Sequence, residues 1–143
     1  MTYLLDTCIL SKLRKIKTHP NKQLEAWFGK HPESVYFISV LNIGEIQKGI
    51  AKLDSHENKY KMILQNWLIG ELMPRFEGRI LTIDMQTASI WGELCGHAQR
   101  KGTLYPVIDS LLAASAIQHH LILVTENTKD FIHMGVHLFN PLD

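Results

Sequence analysis

The segment 106–118 limits the fold of this chain more than any other part of the sequence. Before its last residue, its only polar side chains are Asp109, Ser110 and Ser115. A helix formed here is expected to be buried on nearly all sides and to carry the Asp109 carboxylate into the interior. An unpaired buried carboxylate is costly, and the segment contains no Lys or Arg. Asp109 is therefore expected to be protonated, to pair with a cation, or to face a cleft that holds a metal ion.

The sequence around this helix predicts an α/β fold with a central parallel sheet of about four to five strands and helices on both faces. The predicted strands cover residues 2–5, 35–38, 79–83, 121–124 and 136–139. Helices are predicted at 21–29, 40–53, 85–100 and 106–118, with Ser39 and Asp84 as N-caps. One further helix, after Asp54, is predicted to end at Pro74.

Three more acids stand where the predicted strands end or the following helices begin. Asp6 follows the first strand, Glu45 lies in the helix after the second, and Asp130 closes the polar turn after strand 121–124. Asp6 could instead be only a helix N-cap, and Glu45 a surface residue paired with Lys48. Because the carboxyl ends of parallel strands meet at one edge of a sheet, these three acids and Asp109 could share a cleft.

A cluster of this kind requires a cation. Two carboxylates about 4 Å apart repel each other by roughly 4 kcal/mol at an effective dielectric constant of about 20. Mg²⁺ and Mn²⁺ prefer oxygen ligands and keep several water molecules, which leaves room for a phosphate oxygen. The acids therefore indicate a Mg²⁺ or Mn²⁺ site for phosphodiester chemistry.

Length, composition and charge limit the kinds of protein that this sequence can form. With 143 residues, 45% of them hydrophobic, the chain is expected to form one domain, 1–143. Its net charge of +1 argues against coating nucleic acid by bulk charge, so any such contact must be local. Cys8 and Cys95 lack the spacing of a metal site and indicate free thiols in a reducing compartment. Without an apolar run of membrane-spanning length, the protein is expected to be cytoplasmic.

Four stretches of the sequence resemble the four acidic motifs of PIN-domain ribonucleases, in order and in spacing. They are LLDT at 4–7, ISVLNIGEI at 38–46, PVIDSLLAASA at 106–116 and LVTENTKDF at 123–131. Within that superfamily the chain is most similar to the VapC and FitB toxins of type II toxin–antitoxin pairs. The resemblance implies a single Rossmann-like domain, RNA cleavage that depends on Mg²⁺ or Mn²⁺, a homodimer, and inhibition by a cognate antitoxin.

The resemblance also assigns roles to residues. It implies that Asp6, Glu45 and Asp109 coordinate the metal, with Asp130 as a fourth and more variable acid. The supporting polar residues that it implies are Thr7, Thr125 and Asn127. Two positions depart from the pattern: Cys8 stands where many relatives have Asn, and Asn127 stands where some carry an acid.

Basic residues are candidates for contact with the RNA backbone. They are Lys12, Arg14, Lys15 and Arg100. Salt-dependent cleavage is expected if they steer RNA. The run 12–17, with four basic residues in six, could equally be a solvated helix end stabilised by the helix dipole.

Other functions are open to a chain of this composition. A Ser/His/Asp hydrolase is disfavoured because no G-x-S-x-G motif is present, and His119 and His120 are expected at the surface. Another Mg²⁺-dependent phosphoesterase is a closer alternative, although the phosphate-binding G-x-x-x-x-G-K motif is absent. A third alternative is a binding protein that kept the fold with little catalysis.

Overall fold

The computed structural model describes all residues from Met1 to Asp143 and has a five-stranded parallel sheet at its centre. The strands are β1 Tyr3–Leu5, β2 Tyr36–Ser39, β3 Ile80–Leu81, β4 Ile122–Val124 and β5 Leu138–Phe139. Their order across the sheet is β3-β2-β1-β4-β5, with Tyr3 opposite Tyr36 on one side and Ile122 on the other. The predicted α/β fold and parallel sheet are confirmed, and β1 lies at the middle of the sheet.

Helices cover both faces of this sheet. They are α1 Thr7–Arg14, α2 Lys22–Gly29, α3 Val40–Ala51, α4 Asn58–Trp67, α5 Met73–Arg75, α6 Met85–Arg100 and α7 Val107–Gln118. Short 3₁₀ turns cover Glu33–Val35, Ser55–Glu57 and Thr128–Asp130, and a π-helical turn covers Leu68–Leu72. None of these helices has the length and apolar character needed to cross a membrane.

Side-chain caps fix where two of the longer helices begin. The Ser39 hydroxyl accepts a hydrogen bond from the Leu41 N–H at 3.0 Å, and the Asp84 carboxylate accepts one from the Thr87 N–H at 3.0 Å. In both helices the backbone N–H of the cap residue in turn donates to the side chain of the third helical residue, which completes a capping box. The predicted N-cap roles of Ser39 and Asp84 are confirmed.

The core lies in two layers because neighbouring residues of a strand point to opposite faces. Leu5 packs on one face with Leu24, Ile46 and other apolar residues of α1 to α5. Leu4 packs on the opposite face in a second cluster, which is built mainly from α7, β4 and the segment after it. The residues that follow β1 and β4 lie at the carboxyl end of the sheet, between these two layers. The first turn of α7 lies beside them.

One prediction about the helices is confirmed to within one residue, and another is wrong. The helix predicted to end at Pro74 ends at Arg75, and it contains a π-helical turn that the sequence did not indicate. Proline lacks the N–H that would bond back into the preceding turn, and here that turn is the π-helical one. The helix α7 is buried at Leu112–Ala116, but Val107 and Ile108 in its first turn are 57% and 39% exposed. A helix that leads into a parallel strand begins at the carboxyl edge of the sheet, where no strand covers its first turn.

Candidate active site

Asp6 lies at the centre of the carboxyl edge of the sheet. It directly follows β1, its backbone N–H bonds to the Val124 carbonyl at 2.9 Å, and the residue is only 8% exposed. One carboxylate oxygen, Oδ1, accepts from the Thr7 N–H at 2.8 Å, so Asp6 is also the N-cap of α1. The other oxygen, Oδ2, accepts from the Thr125 hydroxyl at 2.8 Å. Asp6 is therefore both the N-cap of α1 and a residue of the acidic cleft.

Thr125 is held by the loop after β4. Its side chain is buried, and its hydroxyl oxygen accepts the Asn127 N–H at 3.0 Å. The hydroxyl proton is therefore free to point at Asp6. Through its backbone, Asn127 thus supports the first acid indirectly.

Glu45 approaches Asp6 from α3. Its Oε1 accepts a hydrogen bond from the Thr7 hydroxyl at 2.8 Å, and it forms no ion pair with Lys48. A pocket of about 410 Å³ beside it is lined in part by Gly44, Gly49 and Ile108. The structure therefore places Glu45 in an open cleft between α3 and the first turn of α7, and the alternative of a Glu45–Lys48 pair is wrong.

Asp109 lies in the first turn of α7 and has neither a hydrogen-bond partner nor an ion-pair partner for its side chain. Burial, followed by repulsion from Asp6, Glu45 and Asp130, raises the pKa of its carboxyl group from 3.8 to about 6. The three acids that raise this pKa are those predicted from the sequence. The structure thus brings the four acids into one electrostatic cluster, with Asp130 exposed at its margin.

The predicted basic residues separate onto different surfaces. Lys12 lies 3.8 Å from Glu126 and shares with Lys15 a polar pocket of about 540 Å³. Arg14 instead donates to the Tyr60 hydroxyl at 3.1 Å and lies over the Trp67 ring. Arg100 is exposed in the last turn of α6.

Two residues at the site were not predicted to act there. Asn42, fully buried, donates to the Thr7 hydroxyl at 3.0 Å; its position one helical turn before Glu45 was the available signal. Cys8 places its Sγ 3.7 Å from Asp6 Oδ2 and 3.6 Å from the Thr125 hydroxyl. Burial and the nearby Asp6 charge raise the pKa of the thiol to about 11, so Cys8 is a neutral neighbour of the acids.

The donor set is suited to a hard divalent cation. No group of three or more His, Cys, Asp or Glu side chains stands close enough together to hold a metal ion directly. Mg²⁺ is nevertheless commonly held through one or two carboxylates and several waters, so a closed cage is not required. The cluster consists of carboxylate oxygens, and none of its four acids is neutralised by a basic side chain.

A family model described as the PIN domain matches residues 3–136. The chain belongs to the PIN-domain family. This PIN domain is 31% identical to Toxin FitB from Neisseria gonorrhoeae, over 96% of each chain. It is 28% identical to VapC ribonuclease Y4jK from Sinorhizobium fredii, over 96% of this chain and 95% of the relative.

The fold of this PIN domain is also similar to a solved structure, that of FitAB bound to an IR36 DNA fragment. The TM-score is 0.86, with 29% identity over 99% of this chain and 96% of the other. The predicted likeness to VapC and FitB toxins is therefore confirmed, and ribonuclease activity is supported at the level of the family.

Proposed function

We propose that this PIN domain is the toxin of a type II toxin–antitoxin pair and an endoribonuclease that depends on Mg²⁺ or Mn²⁺. The observation that carries the proposal is the placement of four acids around one cleft, where Asp6, Glu45 and Asp130 repel the Asp109 carboxylate and Thr7 donates to both Asp6 and Glu45. No basic side chain lies within ion-pair distance of these acids. Such a cluster at the edge of a parallel sheet favours a divalent cation over a purely structural role.

In this proposal Asp6, Glu45 and Asp109 hold the ion, in part through the water molecules that Mg²⁺ keeps, and Asp130 is a fourth acid at the rim. When bound, the ion would supply activation of a water molecule and neutralisation of the charge on the scissile phosphate. Thr125 orients Asp6 through its hydrogen bond, and Asn127 orients Thr125.

The pocket beside Cys8 is suited to the RNA backbone. Cys8, Ser11, Lys12 and Lys15 are spaced i, i+3, i+4 and i+7, so they share one face of α1 and lead away from Asp6. We propose that Lys12 and Lys15 contact phosphates next to the scissile one. Arg14, which packs on Tyr60 and Trp67, lines the neighbouring groove that Ser11 and Lys15 also border, and it supports that packing instead.

The proposed protein partner is a cognate antitoxin. Similar solved structures are toxin–antitoxin complexes, among them FitAB and VapBC2 from Rickettsia felis. A groove of about 300 Å³ runs from Thr7 and Glu45 to Tyr60 and Trp67 between α1, α3 and α4. We propose that the antitoxin places a segment there, and that the toxin is a cytoplasmic homodimer with one domain, 1–143.

Cleavage of a mixed cellular RNA pool tests this function, using protein freed of antitoxin. We expect cleavage with Mg²⁺ or Mn²⁺, none with chelator, and none from Asp109→Asn. Asp84→Asn is the matched control, because Asp84 is a helix cap outside the acidic cluster and Asn is also a good N-cap. Metal-independent cleavage would indicate a different mechanism. Folded protein that cleaves nothing and binds no Mn²⁺ would favour the alternative of a binding protein.

A further inference from the structure

The buried side chain of Asn42 connects the capping of α3 to the acidic cluster. Its Oδ1 accepts the Ser39 N–H at 2.7 Å, and its Nδ2 donates to the Thr7 hydroxyl at 3.0 Å. Because only the oxygen of the amide can accept from an N–H, the bond to Ser39 fixes which atom faces Thr7. Asn42 therefore presents a donor to Thr7 in a fixed direction.

This donor decides where the Thr7 hydroxyl proton points. A threonine hydroxyl has one proton to donate, and here its oxygen already accepts from Asn42. The proton is thus directed to Glu45 Oε1, 2.8 Å away. The Thr7 backbone N–H also bonds to Asp6 Oδ1, so Thr7 joins two of the acids.

The Glu45 carboxylate has no other polar contact. The hydrogen bond from Thr7 is its side chain's one polar partner in the structure, and Gly44 and Gly49 leave open space on the same helix. A glutamate has three rotatable side-chain bonds, so a single directed hydrogen bond largely determines where its carboxylate lies.

We propose that Asn42 is a positioning residue for Glu45 and acts through Thr7. The inference rests on the proposed function, in which Glu45 helps to hold the divalent ion. Residues that orient a metal ligand in this way typically change metal affinity or activity by roughly 10- to 100-fold when they are removed. Asn42 itself touches neither the ion nor the substrate.

A double-mutant cycle on Mn²⁺ affinity tests this relay, which is the chain of hydrogen bonds from Asn42 through Thr7 to Glu45. Calorimetry on the metal-free full chain would compare Asn42→Ala, Thr7→Val and the double variant with wild type, with kcat and KM measured alongside. We expect each single variant to weaken Mn²⁺ binding by roughly 10-fold. The double variant is expected to be no weaker than Thr7→Val alone, because Asn42 has nothing to orient once the hydroxyl is gone. Thr7→Ser, which retains the hydroxyl, is expected to restore affinity.

Ser39→Ala is the matched structural control. It removes the cap bond to Leu41 without touching Thr7, so it is expected to lower stability while Mn²⁺ affinity and kcat stay unchanged. If Asn42→Ala does not fold, Asn42→Asp replaces it, because Asp retains the acceptor for the Ser39 N–H. The new carboxylate also accepts the Thr7 hydroxyl proton in place of Glu45, so the same substitution made in Thr7→Val measures the effect of the added charge alone.

The possible results distinguish a failure of the relay from a failure of the proposed function. Additive losses in the double variant, or an equal loss of Mn²⁺ affinity in Ser39→Ala, would overturn the relay while wild-type binding and cleavage keep the proposed function intact. Wild-type protein that neither binds Mn²⁺ nor cleaves RNA would overturn both.

Discussion

At the scale of single residues, the unusual group is the Asp109 carboxyl. Its pKa of about 6 in the folded protein lies above the ordinary value of 3.8, so the folded state binds the proton more tightly than the unfolded state does. The stabilising effect of that proton is fully present below 3.8 and is lost as the pH rises through about 6. Asp109 thus opposes folding at neutral pH when no cation is bound.

The first prediction concerns the free energy of unfolding that the charged Asp109 side chain removes in metal-free protein. Asp109→Asn is expected to increase the free energy of unfolding at pH 7.5 by on the order of 1 kcal/mol, after allowance for partial solvent exposure. The gain should shrink towards pH 4, where Asp109 is protonated in wild type. Urea unfolding in chelator, at several pH values, measures it. A variant less stable than wild type at pH 7.5 would show that Asp109 has a stabilising partner.

The second prediction concerns Thr125, which is buried beside Asp6. Thr125→Val keeps the shape of the side chain and removes two hydrogen bonds, one to Asp6 Oδ2 and one from the Asn127 N–H. Because both groups then lose the Thr125 hydroxyl as a partner, the free energy of unfolding is expected to fall by about 1–3 kcal/mol. Mn²⁺ affinity should fall as well, whereas Thr125→Ser should preserve most of both. Equal losses in the Ser and Val variants would point to packing of the methyl group instead.

At the scale of elements, the basic residues at the end of α1 differ in their surroundings. Lys12 and Lys15 line the polar pocket, Lys15 also borders the groove beside it, and Arg14 is occupied by aromatic packing in that groove. This division follows from helical spacing once the start of α1 is known. The sequence could not show which face meets the groove, because that depends on where Tyr60 and Trp67 pack.

The third prediction uses this division. Lys12→Gln and Lys15→Gln are each expected to weaken binding of a generic single-stranded RNA and to lower the salt dependence of log K by roughly 0.7 per lost phosphate contact. Lys30→Gln is the matched control. Lys30 directly precedes His31, whose ring packs on Tyr3 at the amino end of β1, away from the acids. Salt slopes from fluorescence anisotropy that do not differ among the three variants would contradict the pocket assignment.

Most helices and strands could be predicted from the sequence, and each feature that was not predicted has a local cause. The helix α6 begins and ends as predicted, because Asp84 caps it and the chain turns at Gly102 with φ of +83°. The π-helical turn before Pro74 was not predicted, because the apolar spacing of the segment fits a continuous α-helix. Asn42 was missed because its contact with Thr7 spans 35 residues of sequence, a distance that no periodic pattern reports.

At the scale of the whole molecule, the parallel sheet explains how distant acids come together. Asp6 follows β1, Asp130 follows β4, and Glu45 and Asp109 lie near the starts of α3 and α7. The rule that strand ends meet at one edge predicted this convergence from the sequence. The directions of the hydrogen bonds that orient the carboxylates could not be predicted, because those bonds join residues far apart in the sequence.

In the proposed function, a divalent cation relieves the mutual repulsion of the four acids. The most direct measurement is the unfolding free energy of wild type and Asp109→Asn at pH 7.5, with chelator and with saturating Mn²⁺. We expect the variant to be more stable in chelator, and Mn²⁺ to stabilise wild type by about 2.7 kcal/mol at 100 times its Kd, with a much smaller gain in the variant. Equal stabilisation of both proteins, or of neither, would contradict the account.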